Sequence, residues 1–199
     1  MPLGSDIISN KIKTFNEIKM IYIGTFNNRD LGQTIKGYVK FYDQYKDKIK
    51  ISYDIIGSGN KDEIKRINEL VHSDFSNKNL KLHGYIKHNK LCEFLNDSNL
   101  GISYVPINEI YDIQPVTKTY EYLLSGIPVL ATSTYENKLV INNSNGILIN
   151  DNANDFYNGL VEFYNRINHF DSVEIMESSL KFNWEKIINN RLVKILNQL

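Results

Sequence analysis

Lys118 and Glu121 are the charged residues whose position most suggests chemistry, in the stretch QPVTKTYEYLLSGIPVLAT (residues 114–132). A loop containing Pro115 precedes them, so an apolar helix is predicted to begin between Val116 and Lys118. The free N–H groups and positive dipole end of such a helix attract phosphate. A lysine in the first turn is unfavourable for an isolated helix. A bound diphosphate would account for its presence.

Two interpretations of this pair remain open from the local chemistry. In one, Lys118 neutralises a diphosphate and Glu121 accepts hydrogen bonds from sugar hydroxyls. In the other, the two side chains are spaced i and i+3 and form a surface ion pair, which stabilises the helix by about 0.2–0.5 kcal/mol. Only the first interpretation requires a ligand.

Glycines end three predicted strands, at Gly24, Gly57 and Gly84. They either let the backbone approach a ligand closely or simply permit tight turns. Residues 57–59 begin like the dinucleotide-binding pattern GxGxxG, but Asp62 occupies the position of the third glycine. Its carboxylate would face the pyrophosphate at the N-terminus of a helix, and these two negative groups would repel each other. A nicotinamide or flavin oxidoreductase is therefore disfavoured.

Several other catalytic and metal-binding classes lack their sequence patterns here. The P-loop pattern GxxxxGK[ST] is absent, and no Ser, His and acid set accompanies a nucleophile elbow. The single cysteine, Cys92, excludes an intrachain disulfide and fits a reducing compartment. No metal-ligand spacing relates the four histidines, which are His72, His83, His88 and His169. We therefore expect neither a bound metal nor another cofactor.

Composition and charge fit one compact domain. The chain has 199 residues, of which 42% are hydrophobic and 23% are charged, and this length can bury a core without disulfides or metals. The formal net charge is zero, which gives no electrostatic case for a nucleic-acid partner. We expect no membrane span in this chain and a cytoplasmic location, because no apolar run reaches the length of a span and no secretory signal pattern is present.

The elements that must position these residues alternate between strand and helix. Apolar strands are predicted at residues 19–24, 50–57, 80–85, 99–105, 128–132 and 145–150. Helical periodicity follows most of them and dominates the end of the chain, at residues 155–166, around 173–180, and 184–199. This alternation predicts an α/β domain: a Rossmann-like, doubly wound parallel sheet of about six strands with helices on both faces. In such sheets, ligands bind beyond the carboxyl ends of the strands.

The sequence also resembles a known family. PVTKTYEYLLSGIPVLAT is similar to the signature region of retaining GT-B glycosyltransferases of the glycosyltransferase family 4 kind, in which variants of P-x-K-x-x-E-Y-L-x-x-G-x-P-V precede a buried strand. The segments IYIGTFNNRD, YDIIGSGNKDEIKRI and LHGYIKHNKLCEFLNDSNLGISYVP resemble the family's first loop, its Gly-x-Gly turn and its fourth-strand block. The ending FNWEKIINNRLVKIL resembles its Trp-containing terminal helix. The resemblance covers nearly the whole chain.

The resemblance implies roles for individual residues. Arg29 and Lys118 would stabilise the departing diphosphate, and Glu121 matches the second glutamate of a Glu-x7-Glu motif that binds ribose hydroxyls. Tyr85 and Ile86 would offer backbone groups to the base. The other donor-binding residues that it implies are Gly24, Thr25, Gly57, Leu91, Gln114, Val116 and Thr117.

The chain departs from the family pattern at the first glutamate of that motif. Ile113 occupies this position, and its side chain cannot hydrogen-bond a sugar hydroxyl. Asp112 and Gln114 are two candidate replacements, and the third possibility is that the usual sugar contact is missing. The identity of the donor sugar is not predicted.

The resemblance implies the donor-binding, C-terminal half of a retaining, hexosyltransferase-type enzyme. It would transfer sugar from a nucleoside diphosphate sugar without a metal, in bacterial polysaccharide or glycoconjugate synthesis, with the full-length enzyme peripheral at the inner membrane face as one option. Residues 1–5 are interpreted as a cloning remnant, 6–18 as a linker from a missing N-terminal acceptor domain, 19–182 as the nucleotide-sugar domain and 183–199 as a C-terminal helix. The fragment alone is expected to be inactive. The alternatives are a sugar-nucleotide epimerase of GT-B architecture and a non-catalytic flavodoxin-like binding module.

Overall fold

Six parallel strands form the centre of the computed structural model, which describes residues 3–72 and 78–193. The strands are β1 (Ile18–Thr25), β2 (Ile51–Ser58), β3 (Leu80–Gly84), β4 (Leu100–Ser103), β5 (Val129–Thr132) and β6 (Gly146–Ile149). Their order across the sheet is β3-β2-β1-β4-β5-β6. This is the Rossmann order and differs from the flavodoxin order 2-1-3-4-5. The predicted fold class is confirmed, and the topology counts against the flavodoxin-like alternative.

Helices connect the strands and continue after the last one. They are α1 (Gly32–Tyr45), α2 (Lys61–His72), α3 (Leu91–Asp97), α4 (Glu109–Asp112), α5 (Thr117–Leu124), α6 (Tyr135–Lys138), α7 (Ala153–Asn165), α8 (Ser172–Ser179) and α9 (Trp184–Ile187). Parallel crossovers are right-handed. The connections running outwards from β1 to β3 and from β4 to β6 therefore place their helices on opposite faces of the sheet.

The terminal helix differs from its predicted extent. The α-helix stops at Ile187, and a π-helical turn from Ile188 to Leu192 continues the chain. Residues 194–199 of the predicted terminal helix lie outside the described residues. None of the described helices is long and apolar enough to cross a membrane.

Helix α1 illustrates how apolar periodicity becomes core packing. Ile35 and Tyr38 on its inner face are fully buried, as their spacing predicts. Gly37 lies where α1 packs against α7, and a Cβ atom there would stand 2.6 Å from the carbonyl oxygen of Ala153. A larger residue would push the two helices apart. This face fixes α1, and therefore the loop between β1 and α1.

The segment before β1 packs along the domain at the amino-terminal end of the sheet. The Ser5 amide donates to the Phe182 carbonyl over 2.9 Å. Lys13 is 6% exposed, and its Nζ donates to the Leu95 carbonyl over 2.8 Å and to Ser9 Oγ over 3.0 Å. Burial lowers the pKa of Lys13 to about 8. The interpretation of residues 6–18 as a linker stays a prediction.

Candidate functional site

The topological switch point lies between β1 and β4, because the strands that follow β1 are added on one side of this pair and those that follow β4 on the other. The pairing of β1 with β4 ends at Tyr22 and Ile102, whereas its pairing with β2 continues to Thr25 and Ser58. The two central strands thus separate at their carboxyl ends, and a cleft opens between them.

Helix α5 is anchored at this opening by a buried hydrogen bond. The amide of Ile23, just beyond the last β1–β4 pair, donates to Tyr122 Oη over 3.0 Å. Tyr122 is fully buried. Its ring lies against Gly101 of β4, where an added Cβ would come within 2.5 Å of ring atoms. A side-chain hydroxyl therefore replaces the missing strand partner and holds α5 next to the cleft.

The carboxyl ends of β1 and β2 approach each other too closely for side chains. Gly57 pairs with Gly24, and a Cβ on Gly57 would lie 1.8 Å from the Gly24 carbonyl oxygen. A Cβ on Gly24 would lie 2.9 Å from Tyr22 Oη, which donates to the Thr25 carbonyl over 2.6 Å. At both positions a side chain would clash with neighbouring atoms of the protein. Because neither glycine has a side chain, the strand ends stay open to a ligand.

The loop after β1 is held in an unusual backbone conformation. Asn28 and Asp30 have positive φ values of 55° and 44°, which residues other than glycine adopt infrequently. Asn27 Oδ1 accepts from the Asn60 amide over 2.7 Å, and Asp30 accepts from Arg66 over 3.3 Å. These bonds fix the position of Arg29 between them.

Arg29 faces the cleft from this loop and is covered by an aromatic ring. Its guanidinium carbon lies 4.2 Å from the centroid of the Tyr111 ring on α4, a cation–π distance. Within residues 3–72 and 78–193, its buried Nη1 atom has no hydrogen-bond partner. The cation is therefore positioned at the cleft with unused donor capacity.

Helix α5 begins at the cleft with an uncapped N-terminus. Val116 at the cap position provides no side-chain hydrogen bond, so the first amides have no capping side chain. Lys118 Nζ contacts Glu121 Oε2 in a short ion pair. Glu121 is 5% exposed, whereas the side chain of Lys118 is 22% exposed, so the pair is partly buried. The contact of the ion-pair interpretation is present, but its carboxylate lies below the surface.

Two clefts meet at Lys118. The first, of about 190 Å³, lies between the ends of β1 and β4, and the second, of about 270 Å³, lies between the ends of β1 and β2. Ile23, Gly24, Thr25 and Lys118 line both. A ligand that spans the two clefts would pass directly over the lysine and the helix N-terminus.

The structure brings together nearly all of the residues predicted to bind a donor. Arg29, Gln114, Val116 and Thr117 line the first cleft. Gly57, Tyr85, Ile86 and Leu91 line the second, and Tyr85 is 73% exposed. Glu121 lines neither cleft and reaches the site through its contact with Lys118.

Three aromatic residues that line the first cleft were not predicted from the sequence to do so: Tyr22, Tyr104 and Tyr111. Tyr22 and Tyr104 belong to apolar strand segments that are typical of core, and burial of both is consistent with that pattern. Tyr111 lies in a loop that was predicted to be irregular. Tyr22 and Tyr104 line the cleft because β1 and β4 diverge at their carboxyl ends. This divergence produces no periodic pattern in the sequence.

The position of the absent first glutamate is also clear in the structure. Ile113 is 69% exposed. Asp112 Oδ1 accepts from the Tyr135 amide over 2.7 Å, so this carboxylate already has a partner. Gln114 is exposed and lines the first cleft. Of the two candidate replacements, Gln114 is the one at the site. Within the described ranges, no group of three or more His, Cys, Asp or Glu side chains is arranged to hold a metal ion.

The sheet order, the clefts at the switch point and the cationic start of α5 define a Rossmann-like domain of the GT-B glycosyltransferase class. The family model for glycosyl transferases group 1 matches residues 17–166. The chain therefore belongs to that family. A search of curated proteins found no match.

Solved structures share the fold. Sucrose-phosphate synthase from Thermosynechococcus elongatus is 18% identical with a TM-score of 0.70, and the match covers 99% of this chain and 51% of that one. Anabaena HepE in complex with UDP is 13% identical with a TM-score of 0.71, covering 92% and 50%. Staphylococcus aureus TarM, solved with UDP among its ligands, is 21% identical with a TM-score of 0.67, covering 93% and 37%. The chain spans about half, or less, of these solved proteins.

Proposed function

We propose that this chain is the donor-binding half of a retaining glycosyltransferase and holds a nucleoside diphosphate sugar across its two clefts. One observation carries the proposal: Lys118 lies at the uncapped N-terminus of α5 and borders both clefts. A diphosphate is the part of such a donor that joins a base to a sugar. A shared cation and helix N-terminus between two clefts suit it.

The lining of each cleft suggests which part of the donor it receives. The second cleft is lined by Ile56, Ile86 and Leu91 together with exposed Tyr85, and these apolar groups suit a nucleobase. The first cleft is lined by polar groups of Arg29, Gln114 and Thr117, which suit a sugar and its phosphate. Glu121 would accept from ribose hydroxyls once a diphosphate draws Lys118 away from it.

The proposed chemistry is heterolysis of the bond between the anomeric carbon and the diphosphate. Negative charge develops on the departing diphosphate, and fixed donors stabilise it most effectively in a partly dehydrated site. Arg29, Lys118 and the first amides of α5 would supply them. The acceptor's hydroxyl oxygen forms the new bond to the anomeric carbon with retention, and its proton passes to an oxygen of the departing diphosphate. No metal or other cofactor is assigned a role.

The acceptor and the remaining catalytic groups are proposed to lie on a second domain, because this chain spans about half of the solved proteins it resembles. A hexosyl donor and a role in bacterial polysaccharide or glycoconjugate synthesis in the cytoplasm follow from the family resemblance. The fragment is expected to bind a nucleotide without transferring sugar.

Calorimetric titration with UDP, GDP, ADP and dTDP in metal-free buffer tests the proposal. UDP is the first candidate because HepE and TarM were solved with it. We expect one nucleotide to bind. Replacing Lys118 with Met should weaken binding at least tenfold, because a charge-assisted contact contributes about 1.5–3 kcal/mol.

Lys36→Met is the matched control, since Lys36 lies on α1 and is exposed to solvent. This variant should bind the nucleotide as the wild type does. Failure of a folded wild-type fragment to bind any of the four nucleotides would contradict the proposal. Equal losses in Lys118→Met and Lys36→Met would show that the contribution of Lys118 is only general electrostatics.

A further inference from the structure

Tyr104 has a buried hydroxyl that the protein does not satisfy. It immediately follows β4, is 2% exposed, and packs edge-on against Phe156 at a centroid distance of 6.2 Å. Among the residues that the structure describes, no group is within hydrogen-bonding reach of its Oη atom. An unpaired buried polar group costs about 1–3 kcal/mol. A tyrosine kept at such a position calls for a partner from outside the chain.

The orphaned hydroxyl belongs to the first cleft. Tyr104 lines it together with Arg29, whose Nη1 is the second buried side-chain atom of this cleft without a partner. Phenylalanine would fill the same space against Phe156 without leaving a hydroxyl unpaired. Both unused groups therefore lie where the donor sugar is proposed to bind.

The electrostatic surroundings of Tyr104 favour a neutral hydroxyl over a phosphate as this partner. Burial raises the pKa of Tyr104, and the carboxylates of Asp151 and Asp30 raise it further. Asp151 is fixed by the amide of Ile107, which donates to its Oδ2 over 2.8 Å. The phenol therefore stays protonated, and the nearby carboxylates repel an anion. A sugar hydroxyl, which both donates and accepts, fits this environment.

The sugar contact that the family resemblance implies has no glutamate to make it in this chain. Ile113, at the position where the resemblance implies a sugar-binding glutamate, cannot hydrogen-bond and is largely exposed. Asp112 does not line the first cleft, and its Oδ1 accepts from the Tyr135 amide. Among the uncharged polar side chains of the described residues that line the first cleft, Tyr104 is the one that is both buried and without a hydrogen-bond partner.

We propose that Tyr104 Oη forms a hydrogen bond with one hydroxyl of the donor sugar and is a specificity-determining residue of the first cleft. This inference rests on the proposed function, because it takes the first cleft as the sugar site. It places a sugar contact at the residue that follows β4, separate from any contact made by Gln114 in the loop of residues 106–116. Tyr104 does not line the second cleft, where the nucleobase is proposed to bind.

The test is Tyr104→Phe, with UDP, UDP-glucose and UDP-N-acetylglucosamine titrated against the wild type and the variant. We expect UDP to bind both proteins within about twofold. At least one UDP-sugar should bind the variant about five- to tenfold more weakly than the wild type, the loss typical of one neutral hydrogen bond. Tyr164→Phe is the control, because Tyr164 packs on Tyr45, away from the clefts.

Monodeoxy analogues of the better UDP-sugar complete the test. Removing the contacted hydroxyl should weaken binding to the wild type and leave binding to Tyr104→Phe unchanged, a coupling that a purely structural tyrosine would not produce. Unchanged affinity of Tyr104→Phe for both UDP-sugars, with normal UDP binding, would overturn this inference and leave the proposed function intact. Absence of any nucleotide binding by the wild type would overturn both.

Discussion

Lys118 and Glu121 form one contact that stabilises the fold and lies where the donor is proposed to bind. The carboxylate of Glu121 is almost fully buried and Lys118 is its ion-pair partner. The same lysine borders both clefts. The residue types and spacing were sufficient to identify the pair from the sequence, but its burial depends on how α5 packs. A ligand diphosphate and Glu121 would compete for one ammonium group.

The two roles of Lys118 separate in a double variant. Lys118→Met should lower the free energy of unfolding by about 1–3 kcal/mol, because it leaves a buried carboxylate without its partner. Lys118→Met combined with Glu121→Gln should regain most of this stability, since no charge is then buried. Nucleotide binding should stay weak in both variants. Denaturant titration and calorimetry measure the two quantities. Recovery of binding together with stability would mean that Lys118 serves only to neutralise Glu121.

At the scale of elements, apolar periodicity predicted all six strands to within a few residues, and it did the same for the long helices other than the terminal one. The short helices α4 and α6 were missed because they are four-residue turns capped by single side chains, Asn108 and Thr134, and carry no periodic pattern. The cleft itself was predicted only as the carboxyl edge of a sheet. Its opening depends on the exact residue at which β4 leaves β1, which is set by tertiary packing.

The anchoring of α5 by Tyr122 gives a prediction at this scale. Tyr122→Phe should lower the free energy of unfolding by about 1–3 kcal/mol, because the buried Ile23 amide loses its acceptor. Nucleotide affinity should fall as well, since Ile23 lines both clefts. Denaturant titration gives the stability change. Tyr120→Phe on the same helix is the control, and an equal effect of the two substitutions would argue against a specific anchor.

At the scale of the whole molecule, the site lies at the carboxyl ends of the strands, and the segment of residues 3–17 lies at their amino ends. The carboxyl edge carries the clefts, whereas Lys13 and its partners pack beneath the amino ends of the strands. The chain spans about half of the solved glycosyltransferases that share its fold. The proposed function therefore assigns the donor to this chain and the acceptor to a partner domain.

Donor binding across the two clefts is tested most directly by a metal-free UDP titration followed by amide NMR on the isotopically labelled chain. We expect chemical-shift changes concentrated at the two clefts, with the largest at Gly24, Gly57, Ile86 and Lys118. Residues at the opposite edge, such as Lys13, should not respond. Shifts confined to the surface between β6 and α7, around Asn158, would contradict a ligand bound across Lys118 at the switch point. A folded chain that does not respond to UDP, GDP, ADP or dTDP would contradict it as well.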